Sequence, residues 1–177
     1  MSLDVNIVEN RTRGKKYTVP VRIVQTAATV ADTTVFAIRN TGTKDWLLNH
    51  ADIILAYGNA TPTSMIKGYY LQRFSGATHT GGTAITPAPN DTNDAALTCD
   101  ARFVDTGLTV PGGVVAGSII AYLLRDTGYP STAPSVQEWP NDAPIVVHPG
   151  EGVCLKISTN AMEASFGLSL TLHIVEV

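Results

Sequence analysis

The closing segment of the chain, residues 166–177, carries the feature that most restricts its fold. It reads FGLSLTLHIVEV, with an aliphatic residue at every second position from Leu168 to Ile174 and Ser, Thr and His between them. A period of two is the period of a β-strand, because successive side chains point to opposite faces of the sheet. One face of this segment therefore packs into a core, and the other is exposed or contacts another subunit.

Similar strand-like runs occur along most of the chain, separated by turns rich in Gly, Pro and Asn. The clearest of them are residues 17–26, 34–39, 46–57, 65–74, 95–104, 118–125, 145–148 and 153–158. Only residues 94–101 and 159–164 could form a helical turn, and a parallel sheet needs crossover helices between its strands. We therefore predict an all-β protein, a single β-sandwich or jelly roll of about ten strands with long Gly/Pro/Thr-rich loops. The predicted domain spans residues 17–177 and follows a flexible basic N-terminal arm over residues 1–16.

Glycine and asparagine mark the predicted turns. The longest polar stretch, residues 73–94, reads RFSGATHTGGTAITPAPNDTND. Its Gly81 and Gly82 are followed neither by the lysine of a phosphate-binding loop nor by the helix of a dinucleotide-binding turn. We interpret this stretch as backbone that crosses a surface, with Gly where φ is positive, and we expect Arg73 to pair with an acidic group at its base. Asn40 and Gly42 are expected to use left-handed angles in the turn before the third strand-like run.

The charge of the chain excludes several partners. Only 15% of the residues are charged, the net charge is −3, and a typical soluble protein has roughly 25% charged residues. We therefore expect no general attraction to nucleic acid or anionic lipid. No stretch approaches the roughly 20 apolar residues that span a bilayer, and no secretory signal is apparent. The basic residues of the predicted arm, Arg11, Arg13, Lys15 and Lys16, are interpreted as solvated, or alternatively as docking on an acidic partner.

No sequence motif indicates an enzyme. The chain has no GxSxG or SxxK sequence, and Cys99 and Cys154 stand apart, as buried reduced thiols would. His50 and Asp52 are two residues apart, so on a strand they share a face and a metal site is geometrically possible. We prefer a surface pair without a third ligand. The sequence thus predicts no catalytic residue, no metal and no cofactor.

Two further groups of residues are interpreted as structural. Acidic residues in turn-like contexts are expected to bond their own backbone rather than to perform glycoside chemistry. They are Asp91, Asp94, Asp100 and Asp105. Aromatic residues on strand-like runs are expected to pack in the core or at its rim rather than to stack on a ligand. They are Tyr57, Tyr69, Tyr70 and Phe74.

Three segments together resemble tailed-bacteriophage virion structural proteins of the head-decoration or cement kind. The segments are FAIRN at residues 36–40, YLQRFSGATHTGGT at residues 70–83, and PGEG at residues 149–152 before a closing strand. The similarity covers roughly residues 34–177, and its most specific part is the run RFSGATHTGGT at residues 73–83.

This resemblance implies a non-enzymatic capsid decoration subunit that bridges neighbouring shell subunits through its loops and N-terminal arm. The implied partners are copies of itself, as a homotrimer or higher symmetric oligomer, and the major capsid protein or other virion proteins. The chain would be assembled in the host cytoplasm and located on the capsid surface. The residues expected at subunit contacts are Arg11, Arg13, Lys15, Lys16, Arg73, Thr80, Gly81, Gly82, Thr83, Tyr129 and Trp139.

Two alternatives remain open at this point. The chain could be a tail, neck or fibre component that binds a receptor or carbohydrate, with Trp46, Trp139 or Tyr129 stacking on sugar rings. It could instead be a hydrolase on a β-sandwich, which would need two convergent carboxylates or a metal bound by His50 and Asp52.

Overall fold

A computed structural model describes residues 14–25, 32–57, 67–76, 80–104, 115–126, 135–138, 143–157 and 166–177. Over these ranges the chain contains strands and no helix, which confirms the all-β prediction. No segment there forms a helix long and apolar enough to cross a membrane. Several sequence-based predictions lie outside these residues, namely those for Arg11, Arg13, Asp105, Tyr129, Trp139 and the possible helical turn at 159–164.

The strands are named here in chain order. They are β1 (Lys15–Gln25), β2 (Thr34–Asn40), β3 (Trp46–Tyr57), β4 (Lys67–Ser75), β5 (Thr83–Ile85), β6 (Ala88–Pro89), β7 (Cys99–Phe103), β8 (Val115–Asp126), β9 (Ser135–Glu138), β10 (Ile145–Val147), β11 (Glu151–Ile157) and β12 (Phe166–Glu176).

The strands form two six-stranded antiparallel sheets. The first sheet has the order β10-β3-β12-β1-β6, with β9 also paired to β3, and the second has the order β5-β7-β2-β11-β4-β8. From β1 to β4 the chain changes sheet at every strand, and it does so again from β8 to β12, counting β9 and β10 as one position. The order β1-β12-β3-β10 in one sheet and β2-β11-β4-β8 in the other is that of a jelly roll. The predicted sandwich is thus confirmed.

The core lies between the sheets. Its buried side chains come from the inner faces of both, including Val19 and Leu170 from the first sheet and Phe36, Leu71 and Leu155 from the second. Along β12 the aliphatic positions are buried and those between them are more exposed, up to Val175. The alternation in the closing segment therefore predicts its faces correctly.

A β-bulge divides β3. Leu48 pairs with Ile174, but His50 pairs with His173, so Asn49 is an extra residue on β3. Bulges of this kind reverse which side chains face the core. Leu48 lies before the bulge and Ala51 after it, and both are buried. They are three positions apart, and the extra residue between them lets both face the core. The sequence left open whether residues 46–57 formed one bent strand or two, and the structure has one bulged strand.

The predicted boundary between arm and domain lies inside a strand. Lys15 and Lys16 belong to β1, where they pair with Glu176 and Val175 of β12. The Lys15 Nζ also lies 3.6 Å from a carboxylate oxygen of Asp94 in the same chain. These two lysines were expected in a flexible arm, and they are instead held by main-chain pairing in β1.

The polar stretch 73–94 is held against its own chain. It contains β5, which pairs with β7, and β6, which pairs with β1, so it crosses from the edge of one sheet to the edge of the other. Gly81 and Gly82 both have φ of 67°, in the left-handed region that glycine adopts without steric cost. The positive φ expected at these glycines is confirmed.

The turn after β2 does not use the left-handed backbone angles expected from the sequence. Neither Asn40 nor Gly42 has a positive φ. The Asn40 side chain is fully buried, donates from Nδ2 to the carbonyls of Lys44 at 2.7 Å and Val147 at 3.3 Å, and accepts from Gly42 N at 3.0 Å. The prediction of left-handed backbone was wrong because the amide side chain, rather than an unusual φ, satisfies the polar groups of this turn.

Candidate functional site

The residues expected at subunit contacts do not form one cluster. Thr83 lies in β5 at one edge of the second sheet, and Arg73 lies in β4, separated by β7, β2 and β11. At about 4.8 Å between neighbouring strands, these two positions are roughly 19 Å apart across the sheet. Lys15 and Lys16 lie in the first sheet. Any interface that used all of them would have to cover a large part of the molecule.

Two of these residues, Arg73 and Gly81, have partners within the chain. Arg73 Nη1 lies 3.5 Å from Glu151 Oε2, which confirms the expected acidic partner at the base of the stretch. Arg102 donates from Nη1 to the carbonyl of Gly81 at 3.3 Å. Thr80 and Gly81 are exposed, so they can still contact another molecule.

Where the structure describes them, the aromatic side chains considered for ligand binding are buried. Tyr69, Tyr70 and Phe74 are 0%, 6% and 3% exposed, which confirms that they pack in the core or at its rim. Trp46 is 1% exposed, so the expectation that it could stack on a sugar ring was wrong. It lies in β3 just before the bulge and faces the core, and the large apolar ring is thereby removed from water. Tyr122 on β8 is 62% exposed instead.

Three ligand-type side chains meet on the outer face of the first sheet. His50 and Asp52 of β3 and His173 of β12 each offer one ligand atom, and these atoms all lie within 4.8 Å of one another. His50 Nε2 is 2.8 Å from Asp52 Oδ1, and the two imidazole rings meet edge to face with centroids 5.0 Å apart. All three residues are half-buried.

The bulge in β3 creates this cluster. Without the extra residue Asn49, His50 would share the core-facing side of Leu48, because residues two apart on a regular strand share a face. With it, His50 is directly opposite His173, and Asp52 follows on the same face. Bulges occur often beside functional sites, where they redirect side chains.

The sequence predicted no third ligand-type side chain near His50 and Asp52, and the structure places His173 there. The sequence correctly placed His50 and Asp52 on one face, and the alternation of β12 places His173 on its outer face. The missing information was the register between two strands that are more than 100 residues apart in the chain. Two imidazoles and one carboxylate form a donor set that suits Zn²⁺ and related transition-metal ions.

Another histidine pairs with a carboxylate at one end of the sandwich. His148 Nδ1 lies 3.0 Å from Asp45 Oδ1, in an exposed position. The hydrogen bond to Asp45 and its negative charge raise the pKa of His148 above its usual value of 6.5. Within the described residues this pair is not part of a group of three metal-ligand side chains.

The cysteines and the acidic turn residues have structural roles. Burial raises the pKa of both Cys99 and Cys154 to about 12, and both are free thiols. Asp91 accepts from the main-chain N–H of Asn93 at 2.9 Å, which is the local backbone bonding expected of it. Asp100 is bound instead by Arg102, whose Nε lies 2.8 Å from its carboxylate.

Comparison with known proteins identified no relative. The chain matched no family model, no curated protein and no solved structure. The resemblance to bacteriophage virion proteins therefore stays a prediction.

Proposed function

We propose that this chain is a non-enzymatic virion structural protein, a decoration or cement subunit that associates with copies of itself and with a phage shell. The observation that carries the proposal is the open edge of β8. This long strand pairs with β4 on one side only among the described strands. An unpaired strand edge offers a row of main-chain donors and acceptors to another chain.

Side chains at this edge are suited to contact with another subunit. Ile119 and Tyr122 of β8 are 45% and 62% exposed, whereas Ile120 and Ala121 between them pack partly against the core. Burying the two exposed side chains on association would remove apolar surface from water. The ring of Tyr122 lies 6.0 Å from that of Tyr70, which is held by a hydrogen bond from its hydroxyl to Asp32, so the aromatic surface is already positioned.

Composition and fold support the same proposal. A chain in which 15% of the residues are charged has little like-charge repulsion between copies. Jelly rolls occur in viral capsid proteins and also in lectins and cupins, so the fold alone does not determine the function. The assignment to a virion rests on the resemblance of residues 34–177, and the exposed positions Thr80 and Gly81 supply further contact surface.

The test compares two isoleucines of equal exposure. Ile119 on β8 is 45% exposed and Ile54 on β3 is 44% exposed, so Ile119→Glu and Ile54→Glu add the same charge at different surfaces. Light scattering after size-exclusion chromatography should show a symmetric oligomer for the wild type and for Ile54→Glu, and a smaller species for Ile119→Glu. With phage shells stripped of their surface proteins, the wild type and Ile54→Glu should sediment together with the shells, and Ile119→Glu should do so less.

Two results would refute the proposal. A wild-type chain that stays monomeric at every concentration and never sediments with a shell would refute it entirely. An oligomer that Ile119→Glu leaves intact would refute the role of the β8 edge.

A further inference from the structure

We infer that His50, Asp52 and His173 form a binding site for one divalent transition-metal ion of the Zn²⁺ class. Zinc in proteins takes four ligands in a tetrahedral arrangement at about 2.0–2.2 Å, which places neighbouring ligand atoms about 3.4 Å apart. The three ligand atoms here already lie within 4.8 Å of one another. Small side-chain rotations bring them to that spacing.

The donor set selects the kind of ion. Imidazole nitrogen suits Zn²⁺, Cu²⁺, Ni²⁺ and Fe²⁺, whereas Ca²⁺ and Mg²⁺ prefer sites made of oxygen atoms. Two imidazoles and one carboxylate leave the fourth position of a tetrahedral ion open. Because the three residues are half-buried on the outer face of the sheet, water or a ligand from another molecule can occupy that position.

The backbone around the site is well suited to hold it. His50 and Asp52 are in β3, which is paired on one side with β12 and on the other with β9 at these same positions. Both imidazoles stand on paired strands rather than on loops, and a site on regular elements is held more firmly. An ion here would join β3 to β12 at the bulge, and it would stabilise the folded chain by binding that state alone.

The experiment uses the full chain after treatment with a chelator. Titration calorimetry with Zn²⁺ should give one equivalent bound per chain. At free Zn²⁺ of about 100 times Kd, the melting temperature should rise by roughly 5–10 °C, given the size of the chain. Replacement of Zn²⁺ by Co²⁺ should give visible absorption bands typical of nitrogen and oxygen ligands.

Matched variants assign the ligands. His50→Ala, Asp52→Asn and His173→Ala should each weaken Zn²⁺ binding at least about tenfold, while His148→Ala should leave it unchanged. His148 is the proper control because it also contacts a carboxylate, that of Asp45, but without a third ligand in the described chain. Circular dichroism and melting in chelator should be the same for all variants, since the ligands lie outside the core.

Three results would overturn the inference. They are a wild-type chain that binds no Zn²⁺, binding that His173→Ala does not weaken, and equal losses in His148→Ala and His173→Ala. The site does not depend on the proposed assembly, because the titration can be made on a monomer or an oligomer. Failure of this test and failure of the shell-binding test are therefore separate findings.

Discussion

Replacing Asn40 tests the most informative polar contact in the core. Its side chain is 0% exposed and makes three hydrogen bonds, donating to the carbonyls of Lys44 and Val147 and accepting from Gly42 N. It thereby ties the turn after β2 to the end of β10. In Asn40→Ala these three main-chain groups lose their partner, Val147 O in a buried place and the groups of Lys44 and Gly42 in partly buried ones. At a net value of about 1 kcal/mol per bond, with an added penalty for unpaired groups, the free energy of unfolding should fall by about 2–4 kcal/mol.

The Asn40→Asp variant adds a pH dependence with a definite sign. A carboxylate can still accept from Gly42 N, but it faces two carbonyl oxygens to which it cannot donate, and it is buried. Both effects raise the pKa of the introduced carboxyl in the folded state above about 3.9. The variant should therefore match wild type most closely below pH 4 and lose stability as the pH rises, by about 1.4 kcal/mol for each unit of pKa shift.

Urea unfolding at pH 4 and pH 7 measures both effects. Asn90→Ala is the matched control, because Asn90 is exposed and its side chain accepts one hydrogen bond, from Thr18 at 2.9 Å. That change should alter stability by less than about 0.5 kcal/mol. The reasoning would be refuted if Asn40→Ala lay within the same limit, or if the stability of Asn40→Asp relative to wild type did not change with pH.

Three further predictions concern packing, titration and thiol reactivity. A Cβ at Gly152 would meet a main-chain carbonyl of β2 and would lie 2.5 Å from an aromatic ring of β4. Gly152→Ala should therefore lower the free energy of unfolding in urea by about 1–3 kcal/mol. Gly42→Ala is the control: its added Cβ has a nearest contact of 3.4 Å, and it should cost less than about 1 kcal/mol. The pKa of His148, followed by NMR, should lie above 6.5 and return towards 6.5 in Asp45→Asn. The pair stabilises the fold below pH 6.5, and this contribution is lost as the pH rises through the folded-state pKa. A titration of His148 that Asp45→Asn leaves unchanged would contradict the assignment. Because burial raises the pKa of the Cys154 thiol to about 12, a thiol reagent at pH 7 should label Cys154 only after unfolding, and rapid labelling of the native chain would contradict the burial.

Much of the fold could be predicted from local pattern. The alternation in β12, the abundance of β-branched residues and the spacing of Gly and Pro turns all depend on near neighbours in the chain. The same is true of Gly81 and Gly82, where a turn needs positive φ. These features required no knowledge of which strand pairs with which.

The remaining features depended on register and on packing between distant segments. Trp46 and Leu48 face the core before the bulge at Asn49, and the bulge places His50 on the outer face beside His173. Likewise, Lys15 belongs to a strand only because β12 is there to pair with it.

The sequence by itself therefore determined the fold class, the faces of the regular strands and the turns whose geometry needs glycine, since a period of two is set by the backbone of each strand alone. Tertiary structure decided the jelly-roll order, the buried position of Asn40 and the meeting of three metal-ligand side chains. Those depend on long-range strand pairing, in which a shift of one residue moves every following side chain to the opposite face.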